Sequence, residues 1–157
     1  MMNRKNVSLG FLLGFFSIFI FFTIRSVNPE NHISETAWVP FDEAFLQAES
    51  ENKYLLLDIY EIGCKFCRAM EREVYPSEPV VALMDRFYVP VRLDGRSSET
   101  ITYLGEEMSQ EEFALKMGVT AYPYTVIMKP DGSVVDSQRG YMDTFAFSRW
   151  LRSLIPA

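Results

Sequence analysis

The chain has 157 residues, 48% apolar and 15% aromatic, enough to bury one domain core beside a shorter appendage. Its net charge is −6, and all 21 acidic residues follow position 27 with 12 of the 15 basic ones, so the part from Asn28 onward carries −9. That acidity excludes the basic footprint of a nucleic-acid binder and is read as solubility.

The first element is a membrane signal. Val7 to Ile24 is 18 residues without a charge, preceded by Arg4 and Lys5. As a helix it would span about 27 Å, just enough for a bilayer core. The basic residues ahead of it and the acidic ones beyond it orient the N-terminus to the cytoplasm and the domain to the outside. We read residues 1–27 as an uncleaved membrane anchor, with the domain on the outer side. A cleaved signal peptide, which would release the domain on that same side, is the alternative; the apolar stretch is long for one and lacks an A-x-A-like site. Residues 28–37 read as a polar linker. His32, the only histidine, is an incidental residue of it.

The domain is expected over 38–157. Phe41, Ala44, Phe45 and Ala48 recur at helical spacing and predict a helix from about Phe41 to Glu51. Tyr54 to Tyr60 is too apolar for a half-exposed strand and reads as the buried centre of a sheet. A helix follows Cys64, with Phe66, Met70 and Val74 on one face; it should end near Val74 because Tyr75 precedes Pro76. Ser77 is a candidate N-cap for a short helix containing Val80, Val81 and Met84. Phe87 to Leu93 reads as a strand that Pro90 demotes to an edge or irregular position. Asp94 to Met108 is polar, lacks a period, and is expected to be a long loop. Ser109-Gln110-Glu111-Glu112 fits a capping box opening a helix that Gly118 stops. Tyr124 to Met128, a Pro130-Asp131-Gly132 turn and Ser133 to Ser137 predict a hairpin, broken by Gly140. Phe147, Trp150, Leu151 and Leu154 place a last helix from about Asp143 to Ile155. The order of elements predicts an α/β fold, a mixed sheet with helices on both faces.

The chemistry centres on Cys64-Lys65-Phe66-Cys67, which holds the only two cysteines. A strand, a turn and a helix would place the pair at a helix start, where free N–H groups and partial positive charge stabilise a thiolate. The second cysteine, one turn on, can resolve a mixed disulfide. So short a loop is a poor structural staple. No zinc set can be assembled, since the two cysteines have one distant histidine for company. Covalent haem attachment needs histidine where Arg68 stands, and a cysteine protease would lack its histidine partner.

From Trp38 to the C-terminus the chain resembles the thioredoxin-like superfamily. The resemblance rests on Leu55 to Cys67, on Ala121-Tyr122-Pro123, on the hairpin and on the last helix. Within the superfamily it looks most like the extracytoplasmic sulfur-oxidation (SoxW) type. That group shares Gly63-Cys64-x-x-Cys67, a long loop at Gly95–Met108, and a helix opening Ser-x-x-Glu at Ser109 ahead of Pro123. The resemblance implies a thioredoxin fold, catalytic Cys64 and Cys67, and no cofactor or metal beyond the redox-active Cys64–Cys67 disulfide.

It also implies that Asp58, six residues before Cys64, is a buried acid that moves a proton for Cys67. Burial there would raise its pKa; the plain alternative is a strand-end aspartate reaching solvent. Pro123 should be cis and present the Tyr122 backbone to substrate. Lys65 and Phe66 would border the substrate. Phe66 stands where cytosolic thioredoxins carry proline, and Ile62-Gly63 replace the usual tryptophan ahead of the first cysteine.

The expected function, with the resemblance, is therefore a reductase of protein disulfides tethered in a bacterial inner membrane, its domain facing the periplasm or cell exterior, or secreted to the periplasm if the first segment is cleaved, with a membrane thiol-electron donor as partner. The alternative is a non-catalytic adaptor module whose disulfide is inert.

Overall fold

The computed structural model describes residues 36–155. The anchor, His32 and most of the linker lie outside them. Among the described residues no helix is long and apolar enough to cross a membrane.

The domain begins with helix α1 (Phe41–Glu51), which turns its buried residues Phe41, Ala44 and Ala48 to the core. Asn52 closes it in the left-handed region at φ 53°, a conformation asparagine tolerates better than most residues. Strand β1 (Tyr54–Tyr60) follows and is buried along its middle. It occupies an interior place in a four-stranded sheet of order β2 (Tyr88–Asp94), β1, β5 (Tyr124–Met128), β6 (Val134–Arg139), as its apolar composition requires. Helix α2 (Lys65–Ala69) continues into a π-helical turn at Met70–Val74, closed by the Tyr75 N–H on the Met70 carbonyl at 3.0 Å.

The helix stops at Val74 as expected, but not by the expected means. Tyr75 keeps helical angles, φ −59° and ψ −39°, directly before Pro76. Ser77 stands at the N-cap of α3 (Glu78–Phe87), yet its side chain makes no cap bond. Its hydroxyl turns back to the Val74 carbonyl instead.

Strand β2 (Tyr88–Asp94) runs parallel to β1 at the sheet edge. Pro90 has no N–H to donate, and the edge tolerates it. Its carbonyl accepts the Val39 N–H at 2.8 Å, which ties down the start of the domain.

The expected loop after β2 is largely a second, two-stranded sheet, β3 (Thr100–Tyr103) and β4 (Glu106–Ser109). Leu104 and Gly105 both have positive φ, 52° and 84°, as a two-residue hairpin turn demands. Ile101 and Tyr103 face inward and are buried, while Thr100 and Thr102 face out. The Tyr103 hydroxyl donates to the Gly132 carbonyl at 3.0 Å, which docks the hairpin on the β5–β6 turn.

Helix α4 (Gln110–Lys116) opens with the expected capping box: Ser109 Oγ accepts the Glu112 N–H and Glu112 accepts the Ser109 N–H. Strands β5 (Tyr124–Met128) and β6 (Val134–Arg139) complete the sheet as antiparallel neighbours. Helix α5 (Thr144–Ser153) ends the domain, capped by Asp143 on the Ala146 N–H.

Alternation along β1 divides the core. Leu55, Leu57 and Ile59 face α1, the hairpin and α4. Leu56 faces Met70 and Val74 of the π turn, Leu83 of α3, and Phe147 and Leu151 of α5. Asp58 has the parity of Leu56 and so belongs to the face that the π turn, α3 and α5 cover.

Candidate active site

Four chain segments reach one end of the sheet. The parallel register of β1 on β2 brings Tyr60 beside Asp94, and the antiparallel register of β1 on β5 brings Ile59 beside Tyr124. The loop Glu61–Gly63 therefore leads into Cys64 near the point where Pro123 leads into β5. Gly63 takes φ +89° in that loop, which a side chain would resist.

Cys64 and Cys67 are joined by a disulfide. The two sulfurs differ in their surroundings. Cys64 is the N-cap of α2; its Sγ accepts the Cys67 N–H at 3.0 Å and is partly exposed. Cys67 is only 2% exposed. A thiolate at Cys64 would keep a backbone donor and the helix start in front of it, and both stabilise negative charge. Phe66, between them, is 56% exposed. Its ring lies 6.4 Å from that of Tyr141. Lys65 is exposed too. Ile62, on the approach, is 84% exposed.

Asp58 is fully buried, which removes the alternative of a strand-end residue in solvent. Its row across the sheet is Arg92 on β2 and Thr125 on β5. Burial pushes its pKa up to about 6, against the opposing pull of the Tyr75 hydroxyl and of Arg92. Arg92 Nε stands 3.4 Å from Asp58 Oδ2. Neither oxygen of Asp58, nor Arg92 Nε, nor the Tyr75 hydroxyl has a well-formed hydrogen bond among the described residues. Arg92 gives its other nitrogens to Glu71, at 2.6 and 3.3 Å. Its guanidinium lies over the Tyr60 ring at 4.4 Å and the Trp38 ring at 5.7 Å. Burial and the negative charge of Asp58 hold the Tyr75 hydroxyl well above its ordinary pKa.

The Tyr122–Pro123 bond is cis. The Pro123 carbonyl accepts the Gly140 N–H at 2.8 Å, joining that bend to the loop that carries Tyr141. Tyr122 donates its hydroxyl to the Gly95 carbonyl at 2.9 Å.

Glu71, Tyr75 and Arg92 are not among the site residues expected from the sequence. Arg92 was visible as a lone charge inside Tyr88-Val89-Pro90-Val91-Arg92-Leu93. Its partner depends on strand register, which no local pattern states. Glu71 depends on the π turn, which rotates it toward β2 and has no simple residue signature.

Comparison with known proteins agrees with the fold. The model of the thioredoxin-like domain family matches residues 41–155. A thioredoxin from Thermus thermophilus is 21% identical at TM-score 0.62, over 76% of this chain and 87% of that one. A candidate disulphide isomerase from Bacteroides thetaiotaomicron is 25% identical at TM-score 0.61, over 77% and 93%. A DsbH oxidoreductase is 16% identical at TM-score 0.61, over 82% and 91%. An uncharacterized protein of Caenorhabditis elegans is 23% identical over 95 residues, 60% of this chain and 12% of that protein; the chain thus spans about an eighth of that curated relative. With an α/β fold of this topology, a C-x-x-C disulfide at the start of α2 and a family match over residues 41–155, the chain belongs to the thioredoxin-like domain family.

Proposed function

We propose that the protein is a membrane-tethered reductase of protein disulfides, working outside the cytoplasm. The reduced Cys64 thiolate attacks one sulfur of a substrate disulfide. A mixed disulfide forms and the other substrate sulfur leaves as a thiolate, taking a proton. Cys67, giving its proton to the Asp58 carboxylate, then attacks Cys64 Sγ. The second substrate thiol leaves, and Cys64–Cys67 is oxidised. Two electrons have passed to the substrate, and a dithiol donor in the membrane restores the pair. No cofactor takes part beyond the cysteines themselves.

The observation that carries this reading is the difference between the two sulfurs: one partly exposed with an N–H aimed at it, the other 2% exposed. A nucleophile has to meet a polypeptide, and a resolving thiol has to be hidden from it. In this reading the substrate lies in a groove bordered by Pro123 and Tyr122 on one side and by Lys65 and Phe66 on the other. The tether and the periplasmic or exterior location are supported by the uncharged stretch Val7–Ile24 and the charge asymmetry about it. The narrower likeness to the sulfur-oxidation type is supported by Gly63–Cys67 and by Ser109 through Pro123; the long loop counted with them is a hairpin.

The test is insulin-disulfide reduction by the full chain. Cys64→Ser abolishes it, and Cys67→Ala accumulates a mixed disulfide with the substrate. Full activity in Cys64→Ser would falsify the reading, and an inert pair would show as a disulfide that strong biological dithiols leave oxidised. Loss of the first two dozen or so residues in the mass of the mature protein would replace the anchor by a signal peptide.

A further inference from the structure

Gly95 directly follows β2 and has no positive φ to explain it. What it has is no room. A Cβ built there would lie 2.6 Å from the Tyr122 hydroxyl oxygen, 2.7 Å from Tyr122 Cε1 and 2.9 Å from Ile59 Cγ2. Its two peptide groups are both in use. Its N–H donates to the Tyr60 carbonyl at 2.8 Å, extending the β1–β2 ladder by one rung. Its carbonyl accepts the Tyr122 hydroxyl at 2.9 Å. Gly95 thus connects the strand end that leads into Cys64 with the residue that precedes cis-Pro123.

The next residue completes the connection. Arg96 lies over the Tyr122 ring at 5.7 Å from its centroid. Its Nε is 3.3 Å from Glu61 Oε2. The Glu61 carbonyl accepts the Cys64 N–H at 3.2 Å. The Tyr122 ring is therefore held by its hydroxyl on one side and by a cation on its face, both from the segment after β2.

We infer that Gly95 is a positioning residue of the site: by leaving space for the Tyr122 ring and accepting its hydroxyl, it fixes the wall of the substrate groove beside Cys64. The inference rests on the reading of the chain as a protein-disulfide reductase. A larger residue meets the outer part of the Tyr122 ring, which can swing away, and also Ile59 Cγ2 in the core; a loss on the polypeptide substrate alone marks the injury to the groove, and a loss on both substrates marks the injury to the core. A polypeptide substrate needs that wall. A small aromatic disulfide such as 5,5′-dithiobis(2-nitrobenzoate) needs only the Cys64 sulfur.

The test is Gly95→Ala in the full chain, assayed with both substrates. For insulin, kcat/KM falls by about tenfold, mostly through KM, as expected for a displaced positioning group. The rate with the small disulfide stays at the parent value. In a Tyr122→Ala background, Gly95→Ala has no further effect, because it acts through the ring. Tyr122→Phe, which keeps the ring and removes only the bond to Gly95, raises the insulin KM by about two- to tenfold and serves if Gly95→Ala does not fold. Parent-like insulin kinetics in Gly95→Ala and Tyr122→Phe, equal losses on both substrates, or an undiminished effect in the Tyr122→Ala background each overturns the positioning role. Insulin reduction that survives Cys64→Ser overturns the reductase reading itself, and is told apart from those outcomes by that variant.

Discussion

Arg92 stands between two carboxylates and serves them unequally. Glu71 receives two well-formed bonds from it, and the bond holds the Glu71 carboxyl below its ordinary range. Asp58 receives only Nε, at 3.4 Å. The buried acid is thus close enough to feel the charge and too poorly bonded to be neutralised by it. Burial therefore prevails and raises its pKa to about 6, because neither the Tyr75 hydroxyl nor this weak contact with Arg92 offsets the loss of water.

This sets a direction for stability against pH. The folded-state pKa of Asp58 lies above the unfolded value near 3.9, so the folded state binds the proton more tightly. Stability falls as pH rises from about 4 to 6, then levels off. By the usual linkage arithmetic the loss at pH 7 amounts to about 2–3 kcal/mol. Asp58→Asn is expected to recover much of that amount at pH 7 and nothing at pH 4, measured by urea unfolding at both values. Equal effects at the two pH values would mean that Asp58 does not titrate as described. In activity the same variant loses the lower limb of the pH–rate profile near 6, with a fall of about a hundredfold or more in mixed-disulfide resolution at neutral pH.

Removing Arg92 moves Asp58 the other way. Arg92→Leu leaves the acid without its nearby cation, so its pKa rises further and the lower limb of the profile moves to higher pH. Glu71→Gln leaves Arg92 free to turn toward Asp58, and the limb moves to lower pH. The checks are the two profiles side by side, with NMR titration of Asp58. Shifts of the same sign would refute the competition for Arg92.

Much of this is legible in the sequence. Ser109 with Glu112 and the apolar faces of α1 and α5 announce themselves locally, because each depends on neighbours three or four residues away. So does the C-x-x-C start of α2. Asp58 was legible as a single polar residue in an apolar strand. The hairpin was hidden: Ile101 and Tyr103 are its only strongly apolar inward pair, set among threonines and glutamates, and its turn puts Leu104 at positive φ where glycine or asparagine would be the usual sign. The neighbours of Asp58 were hidden for another reason. Arg92 is 34 positions away and meets it only through parallel register, and Glu71 arrives by way of a π turn. Interactions set by register and by an irregular helix leave no spacing to read.

The hairpin is joined to the core through aromatic rings, which gives a third expectation. Phe113 is fully buried and packs edge-on against Phe41 at 5.0 Å and Tyr103 at 5.0 Å. Phe113→Ala removes the centre of that cluster and should cost about 3–5 kcal/mol. Hydrogen exchange in β3 and β4 should accelerate, while exchange in α3 and α5, on the opposite face of the sheet, should follow only the global change. A loss below about 1 kcal/mol would show that the cluster repacks.

The exposed ring between the cysteines poses the opposite case. Phe66 is 56% exposed and has Tyr141 as its aromatic neighbour at 6.4 Å. Burial gives it little to contribute to the fold, so Phe66→Ala should change stability by less than about 0.5 kcal/mol. A polypeptide lying beside Cys64 would cover that ring, and burying an aromatic side chain contributes about 1.5–3 kcal/mol. Insulin KM should then rise by about tenfold or more, while the reaction of Cys64 with a small disulfide is unchanged. Tyr141→Ala should raise KM less than Phe66→Ala, since Tyr141 is 39% exposed and its hydroxyl is bonded to Glu73 at 3.3 Å. If Phe66→Ala instead lowers stability by several kcal/mol and leaves KM alone, the ring is a packing residue and the groove runs elsewhere.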